Sequence, residues 1–234
     1  MKTSWLLLAG AAVTLGGCTL DEMEMPNAPP GALEDAVLSG IAPGIYRGEF
    51  AIAGVVGPFE RGEDRYRMGG ERNKEGGAHF VARGPGVDGA VSGDCQFRAS
   101  DYGSNNFSYR QKPLRYRCQF ERNGRQIDAH LELEEQASYR DERAGYLFYR
   151  GERIEIRSSH DGALTTHPSS APLGYTMSVN GQDIGGVDLT AGQHKRAYLP
   201  RDPAYREAAI IGSIALALFL DPDARPEFDS DYSN

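Results

Sequence analysis

Thirteen consecutive residues near the C-terminus, Ala208 to Leu220 (AAIIGSIALALFL), carry no charge, and Ser213 is the only polar side chain among them. A helix that is apolar on every face has to be buried on every side, either in protein or in lipid. Thirteen residues make about 20 Å of helix, well short of the roughly 30 Å hydrocarbon core of a bilayer. The segment is therefore expected at the centre of a protein core. Asp202 can cap such a helix and Pro203 suits its first turn, which sets the helix at 203–220. Gly212 and Ser213 are small enough to let one or two strands approach closely. A helix without a solvent side needs a sheet that curls around it.

The rest of the chain supplies strands. From Gly44 the pattern has period two, with Tyr46, Phe50, Ile52 and Val56 on one face of a first strand. The clearest alternation sets Leu114, Tyr116, Cys118 and Phe120 inward against Arg115, Arg117, Gln119 and Glu121. Asn123-Gly124 then marks a tight hairpin into Ile127, Ala129, Leu131 and Leu133, and Asn180-Gly181 marks a second, between 174–179 and 182–189. Weaker strands are expected at 64–69, 78–83, 91–98, 107–110, 146–157 and 194–199. Roughly ten strands are too many for one flat sheet, so the expected fold is mainly β: an antiparallel barrel or sandwich over residues 44–221, packed around the buried helix.

The end of the chain also carries a resemblance. Gly174-Tyr175-Thr176 through Asn180-Gly181, the strand ending near Leu199, and Ile210-Ile211-Gly212-Ser213-Ile214-Ala215-Leu216-Ala217-Leu218-Phe219-Leu220-Asp221 together resemble the close of the tubby, phospholipid scramblase and LURP-one-related superfamily. That resemblance covers about the last sixty residues and implies a β-barrel enclosing a hydrophobic C-terminal helix. No basic cluster matches the phosphoinositide site of tubby proteins, and an acidic tail, 222–234, follows here.

The N-terminus addresses the chain. Lys2 precedes an apolar run from Trp5 to Leu15, about 16 Å of helix, and small residues follow, which is the layout of a secretory signal. The run closes on Leu15-Gly16-Gly17-Cys18, which resembles the lipobox of bacterial lipoproteins. The resemblance implies cleavage after residue 17, diacylation of the Cys18 thiol and attachment to the membrane, stable because more than one acyl chain is involved. Thr19 in the next position favours the outer membrane, at its periplasmic face, over the inner membrane. Residues 18–43 then read as the acylated cysteine and a flexible tether, acidic and Pro-rich, with one short helix from Gly31 to Ser39.

Removing residues 1–17 leaves 217 residues (234 − 17) and a net charge near −9 (24 − 33), since Lys2 leaves with the signal. An acidic chain without a basic stripe argues against nucleic acid as a partner. Cys95 and Cys118 remain; Val91, Gly93, Cys95 and Phe97 share one strand face, as do Leu114, Tyr116, Cys118 and Phe120, so both sulfurs point into one core. In an oxidising envelope they are expected to form a disulfide.

Chemistry is sparse. Gly84-Pro85-Gly86-Val87-Asp88-Gly89 fits GxGxxG, but strand-like residues follow it, so it reads as a loop between strands and not as a phosphate cradle. The five histidines lack metal-ligand spacing; His160 and His167, with Asp161, share the polar loop 158–172 and are weak candidate ligands. Ser159-His160-Asp161 holds triad residue types, yet sequence neighbours cannot form the triad's hydrogen-bonded chain. The acids at 221, 223, 227, 229 and 231 read as a solvated tail, and Glu132, Glu134 and Glu135 as an exposed strand edge. The expectation is a non-enzymatic envelope lipoprotein that binds or scaffolds, without a cofactor and with an envelope protein as its candidate partner. A carrier of a lipid or other apolar ligand is the alternative, and a hydrolase using the 158–172 loop stands third.

Overall fold

The computed structural model describes residues 22–104, 107–138, 140–162, 169–190, 192 and 194–223. Twelve antiparallel strands follow in chain order: β1 (Leu33–Ser39), β2 (Arg47–Ile52), β3 (Val55–Met68), β4 (Glu71–Arg83), β5 (Ala90–Ser104), β6 (Phe107–Arg122), β7 (Arg125–Glu135), β8 (Arg143–Tyr149), β9 (Glu152–Ser159), β10 (Gly174–Val179), β11 (Gln182–Asp188) and β12 (His194–Pro200), and then one helix, α1 (Pro203–Leu218). Each strand pairs with its sequence neighbours, and β1 with β12 closes the barrel.

α1 runs through the barrel's interior. Every residue from Ala208 to Leu220 is buried, as an all-apolar surface requires. Asp202 caps the helix by accepting from the Ala204 N–H at 2.9 Å. A Cβ on Gly212 would stand 2.8 Å from the Met177 Sδ of β10, and the Ser213 hydroxyl donates to the Gly186 carbonyl of β11 at 3.4 Å. Gly212 therefore leaves room for the Met177 side chain, and Ser213 lies against the backbone of β11. At the far end the last carbonyls find donors on the sheet: Tyr116 Oη donates to Ala215 O at 2.8 Å, and Arg61 to Ala217 O at 3.3 Å. Among the described residues no helix is long and apolar enough to cross a membrane.

Both Asn-Gly pairs make hairpins with left-handed backbone, φ 50° and 73° at Asn123-Gly124 and 51° and 79° at Asn180-Gly181. Two more turns of the same kind occur at Ala53-Gly54 and Arg150-Gly151. They split the expected strands 46–56 and 146–157, so Phe50 and Ile52 face the core while Tyr46 and Val56 are exposed. The expected strands 107–110 and 114–120 are one strand, β6. Glycines 84, 86 and 89 lie in the connection between β4 and β5, as a loop between strands.

The expected tether, 18–43, is corrected over its described part. Residues 33–39 form no helix: they are β1, paired with β12 over seven positions from Leu33↔Pro200 to Ser39↔His194. Without them β12 would be a bare edge, and closing that ladder outweighs local helix propensity. The barrel thus begins at residue 33, not 44. Ahead of it, residues 22–32 strap the outside of β10–β12. Met23 is 3 % exposed, and the Met23 and Met25 sulfurs stand 2.6 Å and 3.0 Å from where Cβ atoms on Gly174 and Gly186 would lie. Those two glycines make the notch that the methionines fill. The Met23 and Asn27 N–H groups donate to Asp188 and Asp183 at 2.9 Å and 3.0 Å.

Cys95 and Cys118 stand directly opposite each other on β5 and β6, with Cα atoms 4.0 Å apart, and are bonded. The 23-residue separation gives about 3 kcal/mol of stabilisation by loop-closure entropy. Cys95→Ala with Cys118→Ala should lower the melting temperature accordingly, and the unreduced, denatured protein lacking residues 1–18 should titrate without free thiol. Leu216→Asp, which buries an unpaired carboxylate inside the barrel, should cost several kcal/mol, a large share of a domain's stability. A thermal melt indistinguishable from wild type would be incompatible with the buried helix.

Candidate functional site

The two ends of the barrel differ. At the end where α1 begins, successive strands are joined mostly by two-residue turns. Glu207 is buried there and salt-bridged to Arg122 and Arg150 at 3.1 Å and 2.6 Å, and it accepts the Asp88 N–H at 2.7 Å. Polar groups are concentrated at the opposite end, where α1 stops and the connections 136–142 and 160–173 are long.

The strand alternation persists at that end, but the inward side chains change from apolar to charged. Lys74 continues the inward row of Ala78 and Phe80, Asp101 that of Cys95 and Phe97, Glu135 that of Leu131 and Leu133, and Arg143 that of Leu147 and Tyr149. The segment after α1 crosses this mouth. Asp223 accepts from Arg110 at 2.6 Å, from Lys74 at 2.9 Å and from Arg143 at 2.9 Å. Arg143, its side chain fully buried, also donates to Asp221 at 3.1 Å. Arg110 reaches Asp101 and Glu135 as well, both at 2.9 Å. The reading of Asp221 and Asp223 as solvated tail is corrected: two carboxylates beside a helix C-terminus, where the dipole disfavours anions, are held by three cations. The remaining tail acids at 227, 229 and 231 lie outside the described residues. Glu135 is likewise no exposed edge residue, since it takes Arg110 and the Leu114 N–H at 2.9 Å.

The two aspartates titrate in opposite directions. Burial pushes the Asp221 carboxyl up, and the adjacent Arg143 only partly offsets it. Burial also pushes Asp223 up, but Lys74, Arg110 and Arg143 together outweigh it and hold the carboxyl below its ordinary value.

Beside this cluster a groove of about 890 Å³ opens between the strap and the ends of β7–β10; Glu24, Asn27, Arg140, Arg157, Ser158 and Asp161 are among the residues lining it. His160 is buried at its floor. The Ser158 hydroxyl lies 2.9 Å from His160 Nε2, and His160 Nδ1 lies 3.0 Å from the Ser169 carbonyl. A carbonyl can only accept, so Nδ1 carries the proton and Nε2 accepts from Ser158. The serine–histidine pair therefore uses Ser158 and not Ser159, with a backbone carbonyl where a triad places a carboxylate. Ser158 Oγ also accepts the Arg143 N–H at 2.9 Å, which ties the groove to the charged cluster.

Of the weak metal candidates, His160 has both ring nitrogens engaged by Ser158 and Ser169, Asp161 lines the groove, and His167 lies outside the described residues. Among the described residues no three His, Cys, Asp or Glu side chains gather as a metal site. Cys18 also lies outside the described residues. The cluster residues Lys74, Arg110 and Arg143 were not evident from sequence. The one available signal was the pair of acids directly after an apolar helix, which calls for cations. No family, curated protein or solved structure matches the chain.

Asp223→Asn should destabilise the protein at neutral pH by about 3–5 kcal/mol, as breaking a buried ionic cluster does. The folded-state pKa of Asp223 lies below its unfolded value. Its contribution is therefore present above the ordinary aspartate range near 4 and lost as the pH falls through the folded value. The gap in melting temperature between Asp223→Asn and wild type should close over that interval. Asp221→Asn, at a carboxyl held above its ordinary value, should cost less at neutral pH.

Proposed function

We propose that the mature chain is a lipid-anchored protein of the bacterial envelope, attached through Cys18, that works as a non-enzymatic binding or scaffolding module through its outer surface. The observation that carries this reading is the occupation of the barrel by α1, whose residues Ala208–Leu220 are all buried. A carrier of a lipid or other apolar ligand needs interior space, and here the chain's own helix takes that space. The Leu15-Gly16-Gly17-Cys18 sequence after a short apolar run supports the anchor, and the Cys95–Cys118 disulfide suits an oxidising compartment. Thr19 supports the outer membrane. The groove beside the strap, rimmed by charges of both signs, is the preferred contact surface for a protein partner.

The Ser158–His160 hydrogen bond favours a second reading, a hydrolase working in that groove. It ranks lower because a backbone N–H donates into the serine oxygen and a backbone carbonyl, that of Ser169, orients the histidine. Covalent labelling of Ser158 by a fluorophosphonate probe would favour it.

Cells fed labelled palmitate should yield a labelled wild-type protein, while Cys18→Ala should carry no label and accumulate as uncleaved precursor. A soluble mature product beginning at another residue would overturn the anchor.

A further inference from the structure

We infer that the end of the barrel at which α1 stops rests against the bilayer, with Tyr66, Met68, Tyr102 and Tyr109, near the ends of β3, β5 and β6 on that side, set in the lipid headgroup region; this rests on the lipid-anchor reading above. The first support is the shortness of the link. Glu22 is already fixed to the barrel by two hydrogen bonds from Arg196, at 2.7 Å and 2.8 Å, and Met23 is buried beside it. Both sit at the rim where β11 ends and β12 begins. An acylated Cys18 precedes Glu22 by four residues, a reach of at most about 14 Å. A chain that leaves a lipid anchor and is pinned so soon cannot let the barrel swing freely; it holds this rim near the membrane.

The second support is how far the hairpins project at this same end. Past the Lys74 and Asp101 positions of the Asp223 cluster, β3, β4, β5 and β6 each run on for three more residues, 66–68, 71–73, 102–104 and 107–109. Three residues of strand extend about 10 Å. An overhang of about 10 Å is of the same order as the reach of the link, so side chains at the hairpin ends can meet the surface near which the anchor holds this rim.

The third is what the end displays. Eight large hydrophobic side chains are exposed among the described residues, and six of them, Ile45, Tyr46, Tyr66, Met68, Tyr102 and Tyr109, lie at this end. Met68 and Tyr102 are in register through Glu71, and Tyr102 with Tyr109, whose rings lie 5.7 Å apart, so three of the four tip residues form one row across the sheet. Tyrosine, with an apolar ring and a polar tip, is a residue of membrane interfaces. Lys112 is paired with Glu71 of this row at 3.3 Å, and exposed Arg67, between Tyr66 and Met68 on the other face of β3, can reach a lipid phosphate on its long stem. An acidic chain that places its exposed aromatic side chains mainly at the anchored end, beside cations, fits a lipid surface there.

The only natural tryptophan, Trp5, leaves with the signal, so one introduced tryptophan is a clean reporter. Full-length acylated Tyr102→Trp and Tyr66→Trp proteins, one per hairpin, would be reconstituted into vesicles of phosphatidylethanolamine and phosphatidylglycerol with and without brominated lipid. Val56→Trp, at the opposite end of β3, is the control. Both tip reporters should shift to the blue and lose roughly half their emission to brominated lipid, as interfacial tryptophans do, while the control stays unquenched. Tip reporters no more quenched than Val56→Trp, in protein that floats with the vesicles, would overturn the orientation and leave the anchor standing. Protein that fails to float would overturn the anchor and the orientation together.

Discussion

The fold follows from one demand: a helix apolar on all sides must have protein on all sides. A single packed layer cannot meet it, because one sheet face covers only one side of a helix. Closure can, and closure needs every strand edge paired. That is why residues 33–39, with ordinary helix formers such as Leu33, Glu34 and Ala36, are drawn into β1: they are the last strand needed between β12 and β2. The same demand reaches the helix backbone. Carbonyls near its C-terminus have no helical partner and no access to water, so Tyr116 and Arg61 supply donors from the barrel wall.

An apolar plug in an apolar tube is free to slide or rotate unless something marks its position, and the two ends carry that information as charge. Glu207, in the N-terminal half of α1, is held by Arg122 and Arg150. Asp221 and Asp223 lie where the dipole is unfavourable and need the three cations on β4, β6 and β8. Each cluster joins α1 or its exit to side chains from separate parts of the barrel wall, so a shift of α1 by one turn would break both. We read these clusters as devices of register before stability, since buried ion pairs contribute little net free energy against their desolvation.

The sequence revealed the parts of the fold in which local chemistry and global packing agree. Asn123-Gly124 and Asn180-Gly181 announce left-handed turns because both residues tolerate positive φ; Ala53-Gly54 and Arg150-Gly151 adopt the same backbone under the compulsion of the hairpins, and neither Ala nor Arg signals it. Alternation located strands wherever the inward residues are apolar. It failed at the charged mouth, because Lys74, Asp101, Glu135 and Arg143 occupy inward positions that a period-two reading assigns to solvent. The strap was hidden for a different reason: Met23 and Met25 sit in an acidic, Pro-rich stretch, and only the notch at Gly174 and Gly186, some 150 residues away in sequence, gives them a core to enter.

The asymmetry between the ends bears on function more than any single residue does. Two-residue turns at one end leave little surface that can vary, whereas long connections over a rigid scaffold are where binding surfaces are usually built. Here the long connections, the start of the strap, the groove and the exposed tyrosines share the other end, and Arg143 joins the groove to the charged cluster, its backbone N–H on Ser158 and its guanidinium on Asp221 and Asp223. One residue, Arg143, thus touches both the groove and the segment that locks α1. On the membrane-facing orientation inferred above, the groove opens near the lipid surface on the side of the rim away from the hairpins. A partner in that groove would then be met at the membrane, and a protein embedded in or anchored to the same bilayer fits that geometry better than one diffusing freely.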